Sequence, residues 1–265
     1  MAHNHEKGLC DVYHEEKLIF IRVSSNASTS IGHAMGNSNV DNYLSMLKRP
    51  TKVNKYTTFA IIRDPIERFI SGYIKVCVRA TADSPEILKK EFYWVRDQKK
   101  RFYTFVDELE KGFFDCHIEL QTFFLTDENN NLFDIDYILK LENLDQDFAK
   151  MCNELNLDKK LPHLNKVKTE SRNKIVRRLS EIKRLSIKVY TNFKNFIFNK
   201  IYENNNTDSQ IKFIERIKKY LAKRPLPTKQ EIVAYLKEDP ILQQRIYNLY
   251  EADFELYDKY KNIGS

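Results

Sequence analysis

The run Leu18-Ile19-Phe20-Ile21 leads into Arg22-Val23-Ser24-Ser25-Asn26-Ala27-Ser28-Thr29-Ser30, a turn crowded with small hydroxyl side chains. Such residues let a backbone close around an anion, and the unpaired amides of a helix starting near Ser28 point at it. The chemistry this predicts is phosphate binding. A nucleoside-triphosphate loop of the pattern G-x-x-x-x-G-K-[ST] needs glycines and a lysine. Residues 24–30 contain neither, which argues against ATP or GTP. A second junction follows the same logic: Thr57-Thr58-Phe59-Ala60-Ile61-Ile62 ends at Arg63, with Ser71 eight residues later. An arginine fork suits a phosphate monoester because it donates two parallel charge-assisted hydrogen bonds. In an open parallel sheet both junctions fall at the carboxyl ends of strands, where ligands collect. A nucleotide phosphorylated at both ends fits that pair.

The elements that must carry these junctions are legible from periodicity. Leu18–Val23 and Thr57–Ile62 are short apolar runs that suit buried strands, and Tyr137–Leu141 reads as a third, followed by a helix over Leu144–Leu155. At Asp64-Pro65-Ile66-Glu67 a helix begins with an N-cap, a first-turn proline and a glutamate placed to complete a capping box. Ile66, Phe69, Ile70 and Tyr73 share one face of that helix and are expected to pack on the sheet. A further helix is predicted from Phe102 to Glu110. Strands alternating with helices predict an α/β fold: three layers, P-loop-like, with a central mostly parallel sheet flanked by helices. After Pro162 the chain turns basic, and Lys166–Arg224 lacks glycine and proline and carries helical apolar spacing. Helices are predicted over Lys229–Lys237 and Ile241–Tyr260. The expected organisation is a single domain over 1–265, with a basic helical insertion at 166–235 and a helical C-terminal elaboration.

Composition narrows the partners. An apolar content of 42% and an aromatic content of 12% support a packed core rather than disorder. The net charge of +7 points to an anionic partner. No apolar run is long enough to span a bilayer, and Met1–Lys17 is polar without a signal-peptide core, so the expected location is cytoplasmic. Cys10, Cys77, Cys116 and Cys152 are widely spaced and form no C-x-x-C pair, the pattern of reduced thiols. His3 and His5 make a poor metal motif without further ligands, and no metal is expected.

The two junctions together resemble the sulfotransferases that use 3′-phosphoadenosine 5′-phosphosulfate (PAPS). In that family the 5′-phosphosulfate loop commonly reads like P-K-x-A-x-T-S after a strand, and Ser24-Ser25-Asn26-Ala27-Ser28-Thr29-Ser30 aligns with it. Its 3′-phosphate motif resembles R-D-P-x-x-R-x-x-S-x-Y, which Arg63-Asp64-Pro65-Ile66-Glu67-Arg68-Phe69-Ile70-Ser71-Gly72-Tyr73 matches at every fixed position. Leu226-Pro227-Thr228-Lys229-Gln230 and the Tyr250–Tyr257 segment resemble the tail of carbohydrate-type members, especially uronosyl 2-O-sulfotransferases and bacterial relatives. The resemblance implies that Ser25, Asn26, Ala27, Ser28, Thr29 and Ser30 surround the 5′-phosphosulfate, and that Arg63 and Ser71 hold the 3′-phosphate. Asn165 and Lys166 resemble a segment that returns near the nucleotide, the alternative being an ordinary loop. The implied activity is transfer of a sulfuryl group from PAPS to a hydroxyl or amine of a carbohydrate or small metabolite, leaving adenosine 3′,5′-bisphosphate.

The departure is at Ser25, where the family usually has a lysine that stabilises the leaving oxygen. Losing one such donor commonly costs on the order of 100- to 1,000-fold in rate. Three alternatives follow: another cation such as Arg22 or Lys75 substitutes, the enzyme is slow, or the chain binds the nucleotide without turning it over. For the base that takes the acceptor's proton, His117 is the first candidate, in an H-x-x-x-Q element ending at Gln121, against an ordinary helix-surface histidine. His33 is the second, against a helix residue packed near the sheet edge, and Glu119 the third. Arg68 either contacts ligand or forms an ion pair with Asp64 or Glu67. The basic stretch Arg172–Lys188 either lines an acceptor cleft or is a solvated face. Without a zinc framework, RNP-like strand or recognition helix, no nucleic-acid partner is expected.

Overall fold

A computed structural model describes residues 6–48, 55–79, 90–113, 115–162 and 227–260. They fall in two compact units, one of Met1–Tyr73, Phe114–Asn165 and Pro240–Ser265, the other of Ile74–Phe113 and Lys166–Asp239.

The first unit is built on five strands, β1 (Leu9–Tyr13), β2 (Leu18–Ile21), β3 (Asn39–Asn42), β4 (Thr57–Ile62) and β5 (Tyr137–Lys140), in the order β3-β1-β2-β4-β5. β2, β4 and β5 run parallel, with Phe20 opposite Phe59 and Phe59 opposite Tyr137, whereas β1 is antiparallel to both β2 and β3. The sheet is thus mixed and mostly parallel, as alternating strands and helices predict. β1 corrects the expectation of a merely polar N-terminal segment, since Cys10, Asp11, Val12 and Tyr13 are all buried. Its Asp11 is charged but takes two hydrogen bonds from Arg22, and a buried carboxylate held by a guanidinium is tolerated in a strand.

Side chains alternate across the pleat. Leu18, Phe20, Phe59 and Ile61 meet Ile31 and Met35 of α1 (Ser28–Met35) on one face. There they also meet Phe148, Met151 and Cys152 of α7, which follows β5 over Leu144–Glu154. Ile19, Ile21, Ala60 and Ile62 form the other face with Phe124 and Leu256, from α6 (Gln121–Phe124) and α10 (Glu251–Lys259). Between α1 and α6 along the chain lie α2 (Tyr43–Leu47), α3 (Pro65–Arg79), α4 (Glu91–Trp94) and α5 (Gln98–Glu110). Phe69, Ile70 and Tyr73 of α3 are buried, and the Phe69 ring meets Tyr250 edge-on at 5.5 Å. The C-terminal helix expected over 241–260 is two helices, α9 (Pro240–Leu249) and α10, broken at Tyr250. That break aims Tyr250 and Asp253 inward, where both are fully buried.

In the second unit Asp97 caps α5 by accepting from the Lys100 amide at 2.7 Å, so the helix starts four residues ahead of the predicted Phe102. The buried Arg101 donates to the carbonyls of Val95 and Arg96 that close α4. α8 (Lys229–Glu238) opens with the Thr228/Glu231 capping box. The basic stretch 166–224, with the expected acceptor-lining helices, lies outside the described residues, as do Asn165 and Lys166.

The four cysteines are free and buried. Burial is the main force on Cys10, with Asp41 and Asp11 adding to it, and its thiol is pushed up to about 12 from an ordinary 9.0. Burial likewise pushes the phenols of Tyr13 and Tyr43 up to about 12 from 10.0. An acid with a raised pKa keeps its proton in the folded state over a range where the unfolded chain has lost it. The stability these groups contribute is therefore full below their unfolded values and is lost as pH rises toward 12. The urea midpoint should fall steadily between about pH 9 and 11, and fall less steeply in Tyr43→Phe. A flat midpoint over that range would contradict the burial of these groups.

Candidate active site

The site grows from the carboxyl ends of β2 and β4. After Val23 the backbone turns sharply: the Asn26 amide donates back to the Val23 carbonyl at 3.2 Å, and Ser25 and Ala27 take left-handed φ angles of 73° and 58°. Ala27 is the N-cap of α1 and has no side chain to cap with. The first intrahelical bond runs from Ile31 N–H to Ala27 C=O, so the first-turn amides of Ser28, Thr29 and Ser30 precede it and no N-cap side chain takes them. A left-handed residue followed by a helical one turns successive N–H groups toward a common concave side, the arrangement that gathers an anion. Ser25 and Ser28 are half-buried beside it, Thr29 is exposed and Ser30 buried.

Asn26 anchors the loop from beneath. It is fully buried, and its Nδ2 donates to the Ile61 carbonyl of β4 at 2.9 Å and to Gln121 Oε1 at 2.8 Å. Gln121 also clamps the end of β4. Its Oε1 accepts the Arg63 N–H at 2.8 Å and its Nε2 donates to the Arg63 carbonyl at 2.9 Å. One amide side chain therefore ties the loop after β2 to the residue after β4. The Arg63 guanidinium keeps one contact with Glu67 Oε2 at 3.4 Å and is 19% exposed, enough to reach a ligand.

Asp64 caps α3 as expected, accepting from the Glu67 amide at 2.9 Å. The reciprocal half of the predicted capping box is replaced: the Asp64 N–H donates to Glu142 Oε1 at 2.9 Å, while Glu67 turns to Arg63. The tertiary partner after β5 outcompetes the local one. Ser71 lies half-buried on α3, two turns on from Arg63. The next residue, Gly72, packs so closely on the following segment that a Cβ there would stand 2.3 Å from the His117 carbonyl oxygen. A glycine inside a helix costs about 1 kcal/mol relative to alanine, and this contact is its reason.

His117 is buried, not a surface histidine, and its Nδ1 lies 3.1 Å from Ser25 Oγ. The structure thus joins the leading base candidate to the residue that stands where the resembled sulfotransferases usually carry a lysine. The Asp115 carboxylate accepts the His117 N–H at 2.9 Å and fixes the turn. His33 sits elsewhere, exposed in the last turn of α1, at the far end from the loop. Arg22 is held by Asp11 through two hydrogen bonds, with Ser38 adding a third to the same carboxylate at 3.0 Å. Lys75 belongs to the second unit.

Arg68 corrects the expectation of an ion pair with Asp64 or Glu67. It is 0% exposed, its Nη2 donates weakly to the Ser24 carbonyl at 3.5 Å, and Nε and Nη1 have no hydrogen-bond partner among the described residues. Burial pulls its pKa down, and the buried Asp253 carboxylate opposes that shift. Across a planar trans peptide the N–H points away from the C=O, so with its carbonyl toward Arg68 the Ser24–Ser25 peptide turns its N–H to the opposite side. Asp253 in turn accepts the amides of Gln121 and Thr122 at 2.8 and 2.9 Å and the Thr122 hydroxyl at 3.1 Å. Burial pushes its carboxyl up, and Arg68 with those donors pulls it back. Tyr250 donates to the Ile118 carbonyl. The C-terminal helices therefore hold the His117–Gln121 segment in place. The sequence signalled Gln121 through its H-x-x-x-Q spacing, but Asp253 and Tyr250 as its supports had no local signature.

No curated protein and no solved structure matches the chain. The sequence model of the Sulfotransferase family matches residues 7–261, a span running from β1 through α10, and the chain belongs to the sulfotransferase family.

Proposed function

We propose that this protein transfers a sulfuryl group from PAPS to a hydroxyl or amine of a carbohydrate or small metabolite. The observation that carries the reading is the Gln121 clamp, which fixes the uncapped P-loop-like anion loop and Arg63 in one frame. Two anion-binding elements rigidly joined suit a nucleotide with a phosphate at each end. The donor supplies an activated sulfuryl group and a leaving phosphate oxygen on which charge builds during in-line displacement. Toward it, the amides and hydroxyls of Ser28, Thr29 and Ser30 hold the 5′ group, with Asn26 and Ala27 shaping the turn. Arg63 and Ser71 hold the 3′-phosphate. His117 is the candidate for receiving the acceptor's proton, since it is buried beside the loop. Donors preset around a developing charge in a site of low dielectric are worth more than in water.

The test is ligand-linked stabilisation. Adenosine 3′,5′-bisphosphate at about 100 times its Kd should add about 2.7 kcal/mol to stability and raise Tm by several degrees. A Tm unmoved at saturating bisphosphate removes the donor reading. A second reading keeps binding and loses turnover, because Ser25 brings no charge of its own. It predicts the same thermal shift with no sulfated product from any acceptor.

A further inference from the structure

We propose that Ser25 and His117 act as one unit: with ligand bound, His117 Nδ1–H donates to Ser25 Oγ, which turns its own proton onto the anion in the loop. The imidazole then delivers through the serine the positive potential that the family's lysine delivers directly. This inference rests on the donor reading above and answers how a serine can occupy that position.

The geometry that points to it begins with the 3.1 Å contact between Oγ and Nδ1, across 92 residues of chain. Both partners are positioned from outside the pair. Ser25 is held at φ 73°, a conformation that costs a non-glycine residue on the order of 1 kcal/mol or more. The Asn26–Val23 bond and Arg68 beneath the Ser24 carbonyl keep it there. His117 is fixed by Asp115, through its amide, and by the close approach of Gly72 to its carbonyl. Asp115, Cys116 and Glu119 are titratable neighbours in its own turn, and the donor atoms of the first two come within 4.8 Å of the ring's.

A serine hydroxyl has one proton and two lone pairs. If it donates to His117, it presents lone pairs to the loop and repels an anion. If it donates to the anion, the ring nitrogen it faces must carry a hydrogen. Anion binding and protonation of Nδ1 are therefore coupled, and any further proton on the ring goes to Nε2. When it does, the imidazolium strengthens the Nδ1–H···Oγ bond and polarises the serine O–H further. No covalent bond to Ser25 is made or broken.

The experiment uses the full chain with 15N-labelled histidine and adenosine 3′,5′-bisphosphate. Ring 15N shifts, with His117 assigned from the His117→Gln spectrum, should show the ligand placing a proton on Nδ1 in the parent but not in Ser25→Ala. By calorimetry, Ser25→Ala and His117→Gln should each weaken the bisphosphate about tenfold, and the double variant no more than either alone. His117→Asn keeps an N–H near the Nδ1 position and should stay within about threefold of the parent. In Ser25→Lys, with a direct cation, adding His117→Gln should leave the bisphosphate affinity within about twofold. An unprotonated Nδ1 in the complex, additive losses, or a His117→Gln loss persisting in Ser25→Lys would overturn the unit. A parent chain that fails to bind the bisphosphate at all overturns the donor reading instead.

Discussion

Arg63→Ala is expected to weaken adenosine 3′,5′-bisphosphate by about 100-fold while changing 5′-AMP affinity by less than about threefold. The substitution removes the Arg63 side chain beyond Cβ, the guanidinium with its methylene stem, and leaves the backbone. Its backbone N–H and C=O stay clamped by Gln121, so the end of β4 should hold its course. The charge given up locally is a single 3.4 Å contact with Glu67 at a partly exposed site, the kind of pair worth at most a few tenths of a kcal/mol. Against that, a fork donating to a phosphate monoester makes charge-assisted bonds worth about 1.5–3 kcal/mol each. Two such bonds more than cover a 100-fold loss. 5′-AMP lacks the 3′-phosphate and should notice little. Titration calorimetry with the two nucleotides decides it, and equal weakening of both would assign Arg63 a structural task.

The second large effect belongs to Gln121→Leu, which should destabilise the first unit by about 3 kcal/mol and abolish measurable bisphosphate binding. The leucine fills similar space but leaves the Arg63 N–H, the Arg63 carbonyl and one Asn26 Nδ2 hydrogen without partners. A buried polar group left unsatisfied costs about 1–3 kcal/mol, and three in one cluster will not add fully. Gln121→Glu discriminates between packing and hydrogen bonding. It keeps both acceptor functions but sets a carboxylate against the Arg63 carbonyl, so it should recover less than half of the loss. Urea unfolding measures both variants. A leucine variant within about 0.5 kcal/mol of the parent would mean that the two loops are held by something other than this clamp.

These two residues show how the site divides between local and tertiary information. The place of Arg63 is legible in sequence because it follows from neighbours: a strand ends, a proline-started helix begins, and the arginine stands at the junction. Gln121 is marked only by its H-x-x-x-Q spacing, and its clamp is not legible, because its partners lie 58 and 95 residues away. Arg68 makes the same point from the other side. Spacing alone offers it only the carboxylates within one helical turn, whereas burial opposite Asp253, far along the chain, is what the fold selects. Ser25 reads as a deficit in sequence, a lysine missing from a loop. Folding supplies it with an imidazole that nothing near it in the chain foretells.

The sequence by itself determined the parallel core of the sheet, because β2 and β4 are near-continuous apolar runs buried on both faces, and β5 follows as the next strand of the same strand–helix alternation. It also determined the start of α3, where the cap is made by adjacent residues, and the turn between β2 and α1, where small hydroxyl residues lead into the helix. It did not determine β1 or β3. β1 carries a carboxylate that Arg22 and Ser38 make tolerable, and β3 is an exposed edge whose polar side chains leave no apolar pattern to read. Only the tertiary structure decided which residues complete the site. Hydrogen bonds from Gln121, Asp253 and His117 act over 3 Å in space but cross the chain, and no periodicity records contacts of that kind.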